Sequence, residues 1–370
     1  MKKIFFPFLI LVLIGLHSCA QKQSGSLKQA YAPYFKIGTA LNASHIEEGD
    51  YDGVLLVRKH FNAITPENVM KWELIHPSPT QYNFALPDAF VKFGQRDSMF
   101  MVGHTLVWHS QLPQWVQSIT DPVQLEQVMK EHIFQVMGRY KGKIHAWDVV
   151  NEALNEDGSM RESVFYKVLG PNYIAKAFTY AHQADPNCKL YYNDYNMVVP
   201  AKRQGAIRII KELQAQGIPI HGVGMQGHWN LNWPSLQDIE QAITDFAALG
   251  ITVMVTELDI TVLPNPWDLV GADVNQQFQN SEKMNPYPNF LPDSVDIQLA
   301  KRYEDIFKIF IKHHTVIDRV SFWGVHDGVS WLNDWPIHGR TNYPLLFNRN
   351  YKPKRAFKTV MAVAKLQETK

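Results

Sequence analysis

Two glutamates stand directly behind strongly apolar stretches of the chain. Glu152 follows the run from Ile144 to Val150, and Glu257 follows the run from Ile251 to Val255. Neither run carries a nearby Lys or Arg that would give its glutamate an ordinary ion-pairing role. Hydrolysis of a glycosidic bond needs two such carboxyl groups, because one protonates the leaving oxygen while the other attacks or activates water. The pattern therefore indicates either this chemistry or a pair of structural carboxylates.

The other apolar runs of the chain also end in polar side chains. Flat aromatic faces bind the apolar faces of sugar rings, whereas amides and imidazoles bind hydroxyl groups. The chain has 10 Trp, of which Trp147 fits a core position, while Trp331 and Trp335 lie in the polar segment SWLNDWP and are expected to line a cleft. The residues at the ends of the runs are Asn42, Glu67, Asn68, His104, Trp108, His109, Asn151, Asn193, Asp194, Asn196, Gln226, His228, Asp259, His326 and Asp327.

Eight short apolar runs are predicted to be the strands that position these residues. Helical spacing separates them, with Ser235 as a candidate N-cap and Gly217 and Gly250 as candidate helix stops. This alternation predicts an α/β fold, a single (β/α)8 TIM barrel with its function at the C-terminal ends of the strands. An open doubly wound sheet would normally show a Gly-rich turn after its first strand, which IGTALNAS lacks. The predicted strands are 35–42, 61–68, 99–109, 144–152, 189–196, 220–228, 251–259 and 319–327, and helices are predicted at 122–140, 201–217, 235–250 and 294–314.

The N-terminal residues have the form of an export signal. Lys2 and Lys3 precede an apolar stretch that is too short and wrongly flanked for a membrane-spanning helix. Residues 1–19 resemble a lipoprotein signal in which Cys19 becomes the lipidated first residue, although a simple cleaved peptide with an incidental Cys is the alternative. We expect export to the cell envelope with a lipid anchor as the only membrane attachment. Residues 20–30 are predicted to be a flexible tether.

Composition limits the remaining possibilities. The chain is 46% hydrophobic and 19% charged, with a formal net charge of +1, which suits a large core and a neutral substrate rather than nucleic acid. With Cys19 lipidated, only Cys188 remains, so no intrachain disulfide is expected and Cys188 is predicted to be a small buried apolar residue. One domain is expected over 31–370, interrupted by a long Pro- and Asn-rich loop at about 264–292 near the active-site mouth. We expect a monomer.

The chain resembles the family 10 glycoside hydrolases, endo-β-1,4-xylanases built on a (β/α)8 barrel. The resemblance runs from about residue 31 to 365. It rests on seven motifs that occur in order along the chain. They are TPENVMKW (65–72), GHTLVWHSQLPQW (103–115), WDVVNEALNEDG (147–158), YYNDYN (191–196), GVGMQGH (222–228), VTELDI (255–260) and FWGVHDGVSW (322–331).

The resemblance implies retaining hydrolysis of xylan and xylo-oligosaccharides, without a cofactor or metal. Glu152 matches the family's acid/base and Glu257 its nucleophile, with Asn151 holding the sugar 2-hydroxyl. His228 would hydrogen-bond Glu257, and Asp259 would orient His228. The substrate-binding residues that it implies are Glu67, Asn68, Lys71, His104, Trp108, Tyr195, Gln226, Trp323 and Trp331, the last as an aromatic lid that favours xylose over glucose.

Some positions depart from the family pattern, and two other classes of protein are conceivable. Gly227 stands where Ser is usual, and Asn348 where Asp is usual. The 264–292 loop and the segment 335–344, which carries His338 and Arg340, could both reshape the cleft. A metal-dependent hydrolase would use some of the histidines at 104, 109, 228 and 326, but strand one ends without a His-x-His pair. A non-catalytic carbohydrate-binding protein would be expected to lack one of the two glutamates.

Overall fold

Eight parallel strands close into a ring, as the sequence predicts. A computed structural model describes residues 25–269 and 274–367. Each barrel strand pairs with its neighbour in the chain, and β6 pairs with β8 while β9 returns to β1, which closes the barrel. The short strand β7 pairs only with the C-terminal end of β8, in parallel. The strands are β1 Lys36–Leu41, β2 Ala63–Pro66, β3 Phe100–Trp108, β4 Ala146–Asn151, β5 Lys189–Asp194, β6 Gly222–Met225, β7 His228–Asn230, β8 Thr252–Thr261 and β9 Ile317–Phe322.

Helices surround this barrel, and the four helices predicted from spacing are present. Ser235 caps α11 by accepting a hydrogen bond from the Asp238 N–H. Gly217 and Gly250 adopt positive φ angles of 68° and 73° just beyond α10 and α11, a conformation that glycine adopts readily. The helices are α1 Leu27–Ala30, α2 Ala43–Ile46, α3 Tyr51–His60, α4 Trp72–Ile75, α5 Ala85–Arg96, α6 Gln114–Gln117, α7 Pro122–Arg139, α8 Val164–Leu169, α9 Tyr173–Ala184, α10 Pro200–Ala215, α11 Leu236–Ala247, α12 Asp293–Lys312 and α13 Arg355–Gln367.

The barrel interior changes from apolar to polar along its axis. Val102, Ala146, Tyr191 and Met254 form a small buried cluster inside the ring, separate from the larger core between sheet and helices. Side chains two positions further along a strand share its face. Asp148, Asn193 and Thr256, two positions beyond Ala146, Tyr191 and Met254, are therefore expected above that cluster, toward the C-terminal ends of the strands.

The predicted tether is wrong for residues 27–30, which form α1. Ser26 and Gln29 make a reciprocal capping box at its start, a signature that was readable in the sequence. Leu27 is 0% exposed, and the Tyr31 hydroxyl donates to the Val360 carbonyl at 2.8 Å. The burial of these two side chains fixes the segment to α13. The predicted signal segment and Cys19 lie outside the described residues.

The long loop after β8 is present and is held by a second segment of the chain. No helix or strand is found between Thr261 and Asp293 in the described part of this loop. Arg340 donates to the Pro264 carbonyl at 2.9 Å, and Tyr343 donates to the Tyr287 carbonyl at 2.8 Å. The loop is therefore attached near both ends to the segment that precedes α13.

Two further features bear on the predictions from sequence. Cys188 is a buried free cysteine, as predicted, and burial raises the pKa of its thiol to about 12. Across 25–269 and 274–367, no helix combines the length and the apolar character that crossing a bilayer requires.

Candidate active site

Both glutamates line a single cavity at the C-terminal ends of the barrel strands. The cavity has a volume of about 150 Å³. It brings together every residue to which the sequence gave a catalytic or binding role, except Asp259 and Tyr195. Its lining residues are Glu67, Asn68, Lys71, His104, Trp108, Gln111, Asn151, Glu152, Gln226, His228, Glu257, Val274, Trp323 and Trp331.

Glu152 is held by two neutral hydrogen-bond donors. It lies just past the end of β4 with a φ of 54°, a left-handed conformation that is uncommon for a residue with a side chain. Its carboxylate accepts from the Trp108 indole N–H at 2.8 Å and from the Gln226 amide at 2.9 Å. The side chain is buried, with 6% exposed. Neither contact brings a positive charge to the carboxylate.

Glu257 has a different environment. One carboxylate oxygen accepts from the Asn193 amide at 2.8 Å, and the other lies 3.1 Å from Nε2 of His228. Burial by itself would raise the pKa of Glu257, but the His228 hydrogen bond, the charges of His104 and His228 and the Asn193 bond hold it below its ordinary value. The side chain therefore stays ionised, as an attacking carboxylate must.

The strand that carries Glu257 runs two residues beyond its predicted end at 259. β8 continues to Thr261 because β7 pairs with this extension, with His228 opposite Asp259. The register of β8 against β9 shifts between Val255 and Leu258, and such irregularities re-aim side chains beside active sites. The shift includes the position of Glu257.

A hydrogen-bonded chain extends from Glu257 to the aromatic lid. Nδ1 of His228 lies 3.0 Å from one Asp259 oxygen, and the Trp331 indole N–H donates to the other at 2.7 Å. Burial would lower the pKa of His228, but the charges of Asp259 and Glu257 outweigh it and raise that pKa to about 10. His228 is therefore positively charged at neutral pH and links the lid to the carboxylate.

Asn193 joins the two halves of the cavity, a contribution that the sequence did not assign. Its amide donates to Asn151 Oδ1 at 2.9 Å as well as to Glu257, while its own oxygen accepts from Thr256 at 2.6 Å. Gln226 reaches Asn151 from the other side at 3.4 Å. Asn151, fixed by two amides, lies between the carboxylates. The only sequence signal for Asn193 was its place at a strand end.

A polar wall forms one end of the cavity. Lys71 donates to Asn68 Oδ1 at 3.0 Å and to Gln111 Oε1 at 2.8 Å, and lies over the Trp108 ring at 4.9 Å. Burial lowers the pKa of Lys71, and the charge of Glu67 partly opposes this shift. Burial raises the pKa of Glu67, and the charge of Lys71 partly opposes that shift. Polar groups of this kind bind sugar hydroxyls. Gln111 was missed because its motif gave it no role.

His104 and Trp323 line the cavity next to each other. Nδ1 of His104 lies 2.9 Å from Asp148, which fixes the ring, and the Trp323 ring meets it edge to face at 5.4 Å. The remaining ring nitrogen of His104 is thereby left for the cavity.

Tyr195 and Asp259 line a second cavity that adjoins the first. The two cavities share His228 and Trp331, so they lie side by side. The second has a volume of about 220 Å³. Trp335, predicted to line a cleft, does so here and stacks on Trp331 with ring centroids 4.6 Å apart.

Arg161 closes the loop that follows Glu152, and the sequence gave no signal for it. Its guanidinium donates to the Glu152 carbonyl at 3.1 Å, to the Leu154 carbonyl at 3.2 Å and to the Tyr195 hydroxyl at 2.8 Å. It thus connects the backbone of Glu152 to a side chain of the second cavity.

Of the four histidines considered as metal ligands, His104 and His228 both line the first cavity, but neither belongs to a group with metal-ligand spacing in the part of the chain that the structure describes. Among the described residues, the one group with metal-ligand spacing is His45, Asp50 and His326, none of which lines either cavity. Nδ1 of His326 accepts the Gly328 N–H at 3.1 Å, so the ring proton of neutral His326 is on Nε2, 3.1 Å from Asp50. His326 and Asp50 are therefore joined by a hydrogen bond between their side chains. The lone pair on Nδ1 of His326 is already used by the Gly328 N–H.

A closed (β/α)8 barrel that carries two glutamates in an amide-lined cavity at its C-terminal face defines a glycoside hydrolase. The family model of Glycosyl hydrolase family 10 matches residues 26–363. The chain therefore belongs to glycosyl hydrolase family 10.

Relatives of known name agree with this assignment. The chain is 44% identical over 367 residues to "Endo-1,4-beta-xylanase A" of Xylanibacter ruminicola, covering 98% of this chain and 99% of the relative. It is 44% identical over 355 residues to "Beta-1,4-xylanase" of Dictyoglomus thermophilum, covering 94% and 95%. A solved family 10 endoxylanase retrieved from a sugarcane soil metagenome is 46% identical with a TM-score of 0.88, covering 91% of this chain and all of that one.

Proposed function

We propose that the protein hydrolyses internal β-1,4-xylosidic bonds of xylan with retention of configuration, by double displacement. The observation that carries the proposal is the shared cavity in which the Glu152 carboxylate accepts from the neutral groups of Trp108 and Gln226, while the Glu257 carboxylate is paired with His228. Two carboxyl groups in such different environments suit an acid and a nucleophile. The names of the relatives support xylan as the substrate.

In the first step, a Glu257 oxygen attacks the anomeric carbon while Glu152 donates its proton to the departing glycosidic oxygen. The bond between sugar and leaving chain breaks, and a covalent glycosyl-enzyme forms. In the second step, Glu152 takes a proton from a water molecule. The oxygen of that water attacks the anomeric carbon, and the bond from this carbon to Glu257 breaks. Asn151, held between the carboxylates, is placed to bind the sugar 2-hydroxyl, a contact that strengthens in the transition state.

The lid supports a preference for xylose. Trp331 is held over the junction of the two cavities by its bond to Asp259 and its stacking on Trp335. A rigid indole there leaves no room for the hydroxymethyl group that distinguishes glucose from xylose. Chains of xylose and chains of glucose are both neutral, so the shape of the sugar rather than its charge would discriminate between them.

The test is the variant Glu257→Gln, which keeps the shape of the side chain but removes its charge. We expect kcat on soluble xylan to fall by about 10⁴-fold or more, while xylo-oligosaccharides still bind by calorimetry. The wild type should release reducing sugar from xylan, and NMR should show the β-anomer as the first product. An active Glu257→Gln protein, or α-anomer released first, would overturn the mechanism.

We also propose export and anchoring by a lipid on Cys19, with the enzyme acting as a monomer at the cell envelope. The charged start, apolar stretch and Cys of residues 1–19 support this proposal. Cells that express the full chain should incorporate a radioactive fatty acid into it, and cells that express Cys19→Ser should not. An unlabelled wild-type protein would rule out the anchor.

A further inference from the structure

Trp267 is almost completely exposed, which is unusual for so large an apolar side chain. It has 95% of its surface in solvent, the highest value among the large exposed hydrophobic residues described. It lies in a turn closed by the hydrogen bond from the Leu269 N–H to the Pro266 carbonyl at 3.2 Å. An indole in this position has surface available for a ligand.

The turn belongs to the rim of the second cavity. Asn265, Pro266 and Leu269 line that cavity, so the residues on both sides of Trp267 face it. Trp233 lines the same cavity and is 36% exposed. Trp233 is thus part of the cavity wall, and Trp267 is exposed in the turn whose neighbouring residues line the cavity.

The positions of both tryptophans are fixed by their neighbours. Asn230 accepts the Trp233 N–H at 2.7 Å and donates its own N–H to the Trp233 carbonyl at 3.0 Å. The Pro264 carbonyl, three residues before Trp267, accepts from the buried guanidinium of Arg340 at 2.9 Å.

We propose that Trp267 and Trp233 form an outer binding surface for xylose residues of a xylan chain that extend beyond the second cavity. The inference rests on the proposed function, because it takes its ligand from there. Sugar rings present C–H faces that pack on flat indole surfaces, and a neutral polymer needs no charged partner. The amides of Asn230 and Asn265 beside the tryptophans supply hydrogen bonds to sugar hydroxyls.

The experiment compares long and short substrates in Trp267→Ala, Trp267→Phe and the control Phe290→Ala. Phe290 is 72% exposed in the same loop, but no residue next to it lines either cavity, whereas residues around Trp267 do. On linear soluble xylan we expect Trp267→Ala to raise KM about three- to tenfold with kcat unchanged, the size of one aromatic contact. Trp267→Phe should recover most of this loss, and Phe290→Ala should match the wild type. On 4-nitrophenyl β-xylobioside, whose leaving group is too short to reach the rim, all variants should match the wild type.

Each result bears on one of the two proposals. A wild type without activity on xylan would defeat the proposed function itself. An active wild type whose KM for xylan is unchanged by Trp267→Ala would overturn the outer surface alone. Equal losses on xylan and on the short substrate would also overturn it, because they would place the effect of Trp267 in the inner site or in folding.

Discussion

At the scale of single residues, the chemistry depends on what surrounds two similar side chains. Glu152 and Glu257 are both buried glutamates, yet the first accepts hydrogen bonds from Trp108 and Gln226, and the second from His228 and Asn193. The charged imidazole of His228 favours the ionised form of Glu257. In the proposed mechanism, the difference between acid and nucleophile is therefore set by these neighbours.

This account predicts a pH effect for His228→Ala. The variant removes a donor and a positive charge from Glu257, so the pKa of Glu257 rises and its ionised fraction at a given pH falls. A carboxylate with a lowered pKa is active above that pKa, so the acid limb of kcat/KM should move to higher pH. The interaction of Glu257 with His104 remains, which limits the movement.

The pH profile of kcat/KM on soluble xylan measures this effect. Asp259→Asn should move the acid limb in the same direction but less. His228 stays in place in this variant, but without the Asp259 carboxylate its pKa falls and a smaller fraction of it is protonated. The control His338→Ala, at an exposed histidine paired only with Asp334, should leave the profile unchanged. An acid limb that stays in place, or moves to lower pH, in His228→Ala would contradict the assignment.

At the scale of secondary-structure elements, the ends of strands and the loops after them decide where the side chains point. Glu152 has a positive φ, a conformation that costs about 1 kcal/mol or more and persists only where neighbours hold it. Arg161 provides three hydrogen bonds for this purpose. The loop from 152 to 161 is in this sense part of the catalytic machinery, although Arg161 contacts only backbone carbonyls and Tyr195.

We therefore predict that Arg161→Gln lowers kcat about 10- to 100-fold with a smaller change in KM, since a small misplacement of Glu152 lowers the rate strongly. Arg161→Lys, which keeps the charge, should recover part of the rate. The matched control is Arg208→Gln, because Arg208 donates to the Gly158 carbonyl of the same loop at 2.8 Å without touching Glu152. Equal loss in both variants, on xylan at the optimal pH, would mean that Arg161 only stabilises the loop.

The elements also show how far the sequence alone could lead. Eight apolar runs with polar ends predicted the barrel and the face of the site, because packing requires a long apolar run wherever a strand is buried. The extension of β8 was not predictable, since it depends on pairing with the distant β7. Asn193 and Arg161 escaped notice for a similar reason: their partners are 42 to 64 and 7 to 34 positions away, and only the fold brings them together. The Ser26–Gln29 capping box, in contrast, was local and could have been read.

At the scale of the whole molecule, the barrel separates stability from function along its axis. The polar cavity lies at the C-terminal ends of the strands, and the opposite end is closed by buried side chains. Arg319 lies at that opposite end, since it pairs in register with Lys36 at the start of β1, and is 1% exposed. Its ring neighbours are Phe100 and Tyr191, at about 6 Å from the guanidinium.

Arg319 gives the last prediction, which concerns stability rather than catalysis. Its Nε and Nη1 atoms are buried and have no hydrogen-bond partner among the described residues. Burial of an unsatisfied charge opposes folding, and replacing it with an apolar side chain of similar length is often neutral or stabilising by about 1–4 kcal/mol. We expect Arg319→Met to unfold in urea at the same or higher concentration than the wild type, and Arg319→Ala to unfold earlier because it leaves a cavity. Both variants should keep kcat on xylan, because the site is at the other end of the barrel. A marked loss of stability in Arg319→Met would show that the guanidinium has favourable partners, such as internal water, that offset its burial.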